Sequence, residues 1–145
     1  MEIRGFLKKD TFTGKLGTVD KDGNSHVVPI WFVLGDRFAN NKIGDIYFTT
    51  GADSTKAQNI QRNSTVSLCV DDQEPPFSFV FLRGKANIFP YKEKETIGWA
   101  TKIAARYMGR KKAILYGKTN GGEGTVLVRI RPKKIIAEKD VAILD

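Results

Sequence analysis

The sequence predicts a small antiparallel β-barrel of Greek-key type, mainly β, with one short and one longer helix on its flank. Three observations point there. Most of the chain falls into short runs of branched and aromatic residues joined by short connections. An Asp-Gly turn closes the first two of these runs as a hairpin. About six strands are too few for a two-sheet sandwich, so hairpin-connected strands of this number need closure into a barrel.

Taken in order, residues 15–20 (KLGTVD) and 25–34 (SHVVPIWFVL) flank the turn Lys21-Asp22-Gly23-Asn24. Pro29 has no N–H to give a ladder, which places the second strand at an edge or a bulge. Residues 35–41 are turn-like and lead to a strand over 46–50. Gly51 ends it, and Asp53 or Ser54 then caps a short helix through Ala57 and Ile60. Residues 65–71 form the next strand, with Val66, Leu68 and Val70 on one face. Two prolines force a loop, and residues 77–89 make one long strand interrupted at Gly84. Ile97, Ala100, Ala104 and Met108 recur at helical spacing, and Gly109 supplies the stop. Residues 110–116 add a further helical turn, 118–124 are a glycine-rich loop, and 125–138 are the last strand. No linker or repeat divides the chain, so residues 1–145 are expected to form one domain.

Composition excludes several classes. One cysteine and one histidine, Cys69 and His26, cannot build a zinc site or a disulfide, and no metal is expected. Cys69 is expected to be a buried, inert thiol, and His26 a solvent-facing or satisfied strand residue. The longest apolar run is too short to span a bilayer, and the start MEIRGFLKKD is no signal peptide, so a cytoplasmic protein with no membrane partner is expected. The 24 basic residues outweigh 16 acidic ones and leave a net charge of +8, which favours anionic ligands. Stacking aromatics are not interleaved with those cations, and no nucleic-acid partner is expected.

The chemistry concentrates after residue 45. The segment DIYFTTGADSTKAQNIQRNSTVSLCV reads strand, turn, helix, strand, with Lys56 inside the first helical turn. A helix start offers free N–H groups and a positive dipole end, and Thr50, Ser54 and Lys56 add hydroxyls and a full charge. That set is a cradle for one phosphate. With few acids, bases or nucleophiles to hand, no catalytic side chain is assigned, and an enzyme of this composition takes its chemistry from a cofactor. The stretch Val28-Pro29-Ile30-Trp31 offers such a cofactor an apolar wall and backbone groups freed by the proline.

The ordered set GKLGTVDKDGNSHVVPIWFVLGD, the segment just quoted, PPFSFVFLRGKANIF and ARYMG resembles the pyridoxamine 5′-phosphate oxidase-like, FMN-binding split-barrel superfamily. Within it, the chain looks most like the flavin and deazaflavin (coenzyme F420) oxidoreductases. The resemblance implies a six-stranded split barrel and a homodimer holding FMN or coenzyme F420 at the subunit interface, with a small organic molecule as substrate. It implies that Val28, Pro29, Ile30 and Trp31 lie along the ring, and that Thr49, Thr50, Ser54 and Lys56 hold the phosphate with Asn59 nearby. Phe77, Phe79, Arg106 and Tyr107 are implied to meet the partner subunit, the cofactor tail or the substrate. Arg106, Arg110, Lys111 and Lys112 would suit the anionic tail of a deazaflavin. Two departures stand out. Thr55 replaces an arginine common beside the lysine, and VRIRPKKIIAEKD lacks the arginine- and histidine-containing motif of true pyridoxamine phosphate oxidases. The expected activity is therefore hydride transfer other than pyridoxal phosphate synthesis, with a non-catalytic flavin or deazaflavin carrier as the alternative.

Overall fold

The computed structural model describes residues 1–36 and 43–142. Its strands are β1 (Gly14–Val19), β2 (Ser25–Ile30), β3 (Val33–Leu34), β4 (Ile46–Gly51), β5 (Thr65–Asp71), β6 (Phe79–Phe89) and β7 (Thr125–Glu138). Four helices accompany them: α1 (Ile3–Lys8), α2 (Thr55–Arg62), α3 (Glu93–Met108) and α4 (Arg110–Asn120). The seven strands make one antiparallel sheet in the order β2-β1-β5-β6-β7-β4-β3.

The two edges of that sheet, β2 and β3, are consecutive in the chain and joined only by Trp31 and Phe32. A two-residue link cannot reach across a flat seven-stranded sheet, so the sheet must curl until its edges approach. The sequence reading of 25–34 as one strand is corrected here: the run breaks at Trp31-Phe32, giving seven strands among the described residues rather than six. Pro29 lies on the edge strand β2, where its missing N–H costs no ladder bond on the open side. Of the turn expected over 35–41, residues 37–41 lie outside the described residues.

Alternation then fills the interior. Leu16, Ile46, Phe48, Leu68, Leu82 and Ile130 are fully enclosed, each on the inward face of its strand, and Phe32 joins them from the link. Burial of each such side chain contributes about 1.5–3 kcal/mol. The β6–β7 ladder is continuous through a bulge at Arg83/Gly84 instead of being interrupted there. A Cβ on Gly84 would lie 2.2 Å from the Arg131 carbonyl oxygen, so only glycine lets the two backbones approach this closely.

The helices depart from expectation. Residues 110–120 form a full second long helix, and 3–8 form a first one, capped by the Glu2 side chain on the Gly5 amide. The buried face of α3 is Thr96, Ala100, Ile103 and Ala104 rather than a stripe ending at Ile97 and Met108. The reason is that α3 has two neighbours, the sheet on one side and α4 on the other. Gly117 of α4 packs directly on Thr101, where a Cβ would sit 2.0 Å from the hydroxyl oxygen. α2 sets Ala57, Asn59 and Ile60 inward and packs on β1 and β6. The ends of β2 and β4, the start of α2 and the middle of α3 are thereby left around one opening.

Candidate functional site

That opening is a cleft of about 430 Å³, lined by Pro29, Ile30, Trp31, Thr49, Thr50, Gly51, Lys56, Ala100, Ile103, Asn120 and Thr125. Its size is within the usual range for a small-molecule site. Each wall has a local cause. β4 ends at Gly51, and Ser54 caps α2 by accepting from the Ala57 amide at 3.2 Å. The cap turns the chain so that Lys56 stands over the end of β4. The first intrahelical bond of this turn is from the Gln58 amide to the Ser54 carbonyl, so the amides of Thr55 and Lys56 precede it and carry the positive end of the helix.

Lys56 is the pivotal group. Its side chain is half-buried, and burial holds its pKa below the ordinary lysine value. Among the described residues no carboxylate, carbonyl or hydroxyl meets its ammonium. It is the only ionisable residue of the cleft lining among the described residues. A partly desolvated cation without a counter-charge is costly unless an anion arrives from outside. Beside it, the Thr50 hydroxyl donates to the Ser54 oxygen at 3.0 Å. Ser54 thus accepts from Thr50 and from Ala57, leaving its own hydroxyl proton for a ligand.

The opposite wall is flat and apolar. The Trp31 ring stacks on Tyr107 with centroids 5.0 Å apart and planes 6° from parallel. The Tyr107 hydroxyl donates to the Phe12 carbonyl at 2.9 Å and accepts from the Phe32 amide at 3.2 Å. Burial raises the phenol's pKa, so it stays protonated in this bridging role. Arg106 holds the same residue at its carbonyl: one guanidinium nitrogen donates to the Phe32 carbonyl at 2.9 Å, and others to the carbonyls of Leu7, Lys9 and Asp10 at 2.8, 3.2 and 3.1 Å. The backbone of the break between β2 and β3 is therefore held by the end of α3. The backbone groups of Phe32 are thus taken, while β2 itself, as an edge strand, pairs only with β1 among the described residues.

The residues singled out from the sequence divide into two sets. Pro29, Ile30, Trp31, Thr49, Thr50 and Lys56 line the cleft together, and Ser54 stands one hydrogen bond behind Thr50. Val28 points into the barrel instead, paired with Leu16. Asn59 is 1% exposed and donates to the Thr18 hydroxyl at 3.0 Å, tying α2 to β1 away from the cleft lining. Arg106 is committed to carbonyls of its own chain, and Arg110, Lys111 and Lys112 line no part of the cleft. Phe77 and Phe79 lie by a separate hollow with Lys15, Cys69 and Asp71. Cys69 sits half-buried on the outer face of β5, not in the core, and burial with the Asp71 charge pushes its thiol pKa up. His26 is partly exposed, and its Nδ1 is buried with no partner among the described residues.

Sequence reasoning missed Gly51, Ala100, Ile103, Asn120 and Thr125. Thr125 reaches the cleft because it pairs with Gly51 across β4 and β7, a contact between distant segments. Among the described residues no cluster of His, Cys, Asp or Glu could hold a metal ion, and no helix is long and apolar enough to cross a membrane.

The cleft thus combines a partly buried cation at a helix start with a stacked aromatic pair at the seam of a curled antiparallel sheet. The family follows from comparison of the whole chain. A family model described as pyridoxamine 5′-phosphate oxidase matches residues 1–138, and the protein belongs to that family. Among solved structures it is similar to the conserved hypothetical protein Rv2991 from Mycobacterium tuberculosis, at 25% identity over 94% of this chain and 81% of that one, with a TM-score of 0.76. It is also similar to an F420 reductase (24% identity, 91% and 94% covered, TM-score 0.69). The same fold recurs in HutZ, a heme storage protein from Vibrio cholerae (18% identity, 93% and 91% covered, TM-score 0.69). No curated protein matches the sequence.

The residues present fit a flavin-type group. Lys56, Thr50 and the start of α2 suit a phosphate, and Trp31, Pro29 and Ile30 suit one side of a planar ring.

Proposed function

We propose that this protein is a flavin- or deazaflavin-dependent oxidoreductase that passes hydride between FMN or coenzyme F420 and a small organic substrate. The observation that carries the reading is the half-buried, unpartnered Lys56 ammonium at the start of α2, facing a cleft with an aromatic wall. When bound, the ring system supplies the hydride-exchanging centre. The chain's own part is to bind, orient and exclude water. Lys56 offsets the phosphate charge, the Thr50–Ser54 hydroxyl pair offers it hydrogen bonding, and the amides of Thr55 and Lys56 add dipolar attraction. Trp31, braced from behind by Tyr107, fixes the plane against which the ring rests. Ala100 and Ile103 of α3 cover the cleft with apolar surface.

The family and the F420 reductase fold likeness support a redox role. One observation favours a second reading, a non-catalytic flavin or deazaflavin carrier: the described cleft lining holds no acid or base apart from Lys56. Stopped-flow reduction of the loaded protein, followed by mixing with candidate acceptors, separates the two. Turnover supports the oxidoreductase; tight binding with no electron transfer to any acceptor supports the carrier.

We further propose a homodimer that completes the site. One chain walls the ring on one side, and the outer face of the sheet carries exposed Val27, Phe77 and Ile136, with Phe79 and Phe81 beside them. Sedimentation equilibrium of the loaded protein should give twice the chain mass, and a monomer at all concentrations would remove the shared-site element. A cytoplasmic location is part of the same proposal, and exclusive recovery of the native protein outside the cytoplasm would contradict it.

A further inference from the structure

One surface of the molecule has no part in the cleft. α4 runs RKKAILYGKTN with no acidic residue. It buries Ala113 and Gly117, the latter against Thr101 of α3. Its other side carries Lys111, Ile114, Leu115 and Lys118, spaced so that they share one face, with Lys112 at the border and Arg110 at the exposed start of the helix. Ile114 and Leu115 are 67% and 68% exposed, the two most exposed large apolar side chains among the described residues. None of the four cations on this helix has an ion-pair partner among the described residues.

We propose that this face of α4 docks the protein on an anionic lipid surface, lying on the membrane rather than crossing it. Two adjacent aliphatic side chains ringed by cations match what such a surface offers: a hydrocarbon layer for Ile114 and Leu115 beneath headgroup charges for Arg110, Lys111, Lys112 and Lys118. Other occupants match less well. A second copy placed isologously here would set one unpaired cation cluster against its twin. Nucleic acid would meet the cations but give the aliphatic pair nothing to stack on, since Tyr116 is turned partly inward. A small ligand would need concavity, and the only α4 residue lining any described hollow is Asn120, at the opposite end. The proposal departs from the sequence-based expectation of no membrane partner, which rested on the lack of a spanning segment.

The proposal stands apart from the redox reading and is tested on the full chain with its cofactor. Flotation with vesicles of phosphatidylserine in phosphatidylcholine should carry the protein, vesicles of phosphatidylcholine alone should not, and added salt should release it. The double variant Lys111→Gln/Lys112→Gln should lower vesicle affinity at least roughly tenfold. Ile114→Ser/Leu115→Ser should lower it by a comparable factor at low salt, while both variants melt as the parent does and Ile114→Ser/Leu115→Ser binds cofactor unchanged. The positions are exposed, so folding is not at stake. Equal binding to neutral vesicles, binding unaltered in both variants, or no flotation would overturn the proposal. So would salt-sensitive retention by RNA or by an acidic protein with no vesicle binding. Cofactor affinity measured alongside shows whether the cleft reading stands or falls independently.

Discussion

Lys56 and Arg106 are both partly buried cations, and burial lowers the pKa of each, yet the protein treats them in opposite ways. Arg106 donates to four main-chain carbonyls, those of Leu7, Lys9, Asp10 and Phe32, and so spends four of its five N–H groups on its own chain. Lys56 meets none among the described residues. The comparison teaches that charge and burial alone do not mark a binding residue. What marks one is a desolvated charge whose compensation the chain does not itself supply.

Breaking each side of this comparison should give different phenotypes. Arg106→Ala leaves buried carbonyls without donors and unties α1 and the Trp31-Phe32 link from α3, so urea unfolding should show a loss of about 3 kcal/mol. Arg106→Lys should recover only part of it, because one ammonium cannot span divergent carbonyls. An Arg106→Ala variant of parental stability would mean that the hydrogen bonds contribute nothing in solution. Lys56→Ala should do the reverse: cofactor affinity falls about 10- to 100-fold in a fluorescence titration, while stability stays within about 0.5 kcal/mol or rises. A stability loss as large as that of Arg106→Ala would return Lys56 to the structural class.

A smaller effect sharpens the boundary of the site. Asn59→Ala removes the bond to Thr18 and should cost about 1–2 kcal/mol in denaturant unfolding without altering cofactor affinity. A selective loss of affinity would bring Asn59 back into the phosphate cradle.

The gentlest probe is pH. With a folded-state pKa below the unfolded value, Lys56 binds fewer protons in the native state than in the denatured one across the range just under its ordinary value. The empty protein should therefore gain a little stability from this residue as pH rises through that range, while phosphate-bearing ligands bind more weakly as the ammonium loses its proton. Calorimetric titration should find proton uptake on binding at alkaline pH, absent in Lys56→Met. Affinity independent of pH in the parent would argue against a charged lysine at the ligand.

Which features were legible in the sequence follows from the range of the interactions. The Ser54 cap, the Lys56 placement and the Asp-Gly hairpin are local and were readable from a few adjacent residues. The break at Trp31-Phe32 was not, because the run stays apolar through it and its cause lies about 75 residues away in Arg106 and Tyr107. The commitment of Arg106 to its own chain is hidden from the sequence because its partners are carbonyls, which every residue carries and no sequence pattern reveals. Asn120 and Thr125 reached the cleft only through the pairing of β4 with β7 and the return of α4 along α3. α4 itself was under-read, since its two faces, one on α3 and one exposed, give no single apolar stripe.

The most direct test compares ligands that differ only in the anionic group: FMN against riboflavin, and coenzyme F420 against its phosphate-free chromophore. The parent should bind at least one of the charged ligands more tightly than its uncharged counterpart, and Lys56→Ala should erase most of that preference. An undiminished preference in the variant, or no binding of either charged ligand by the parent, would contradict the proposed phosphate cradle.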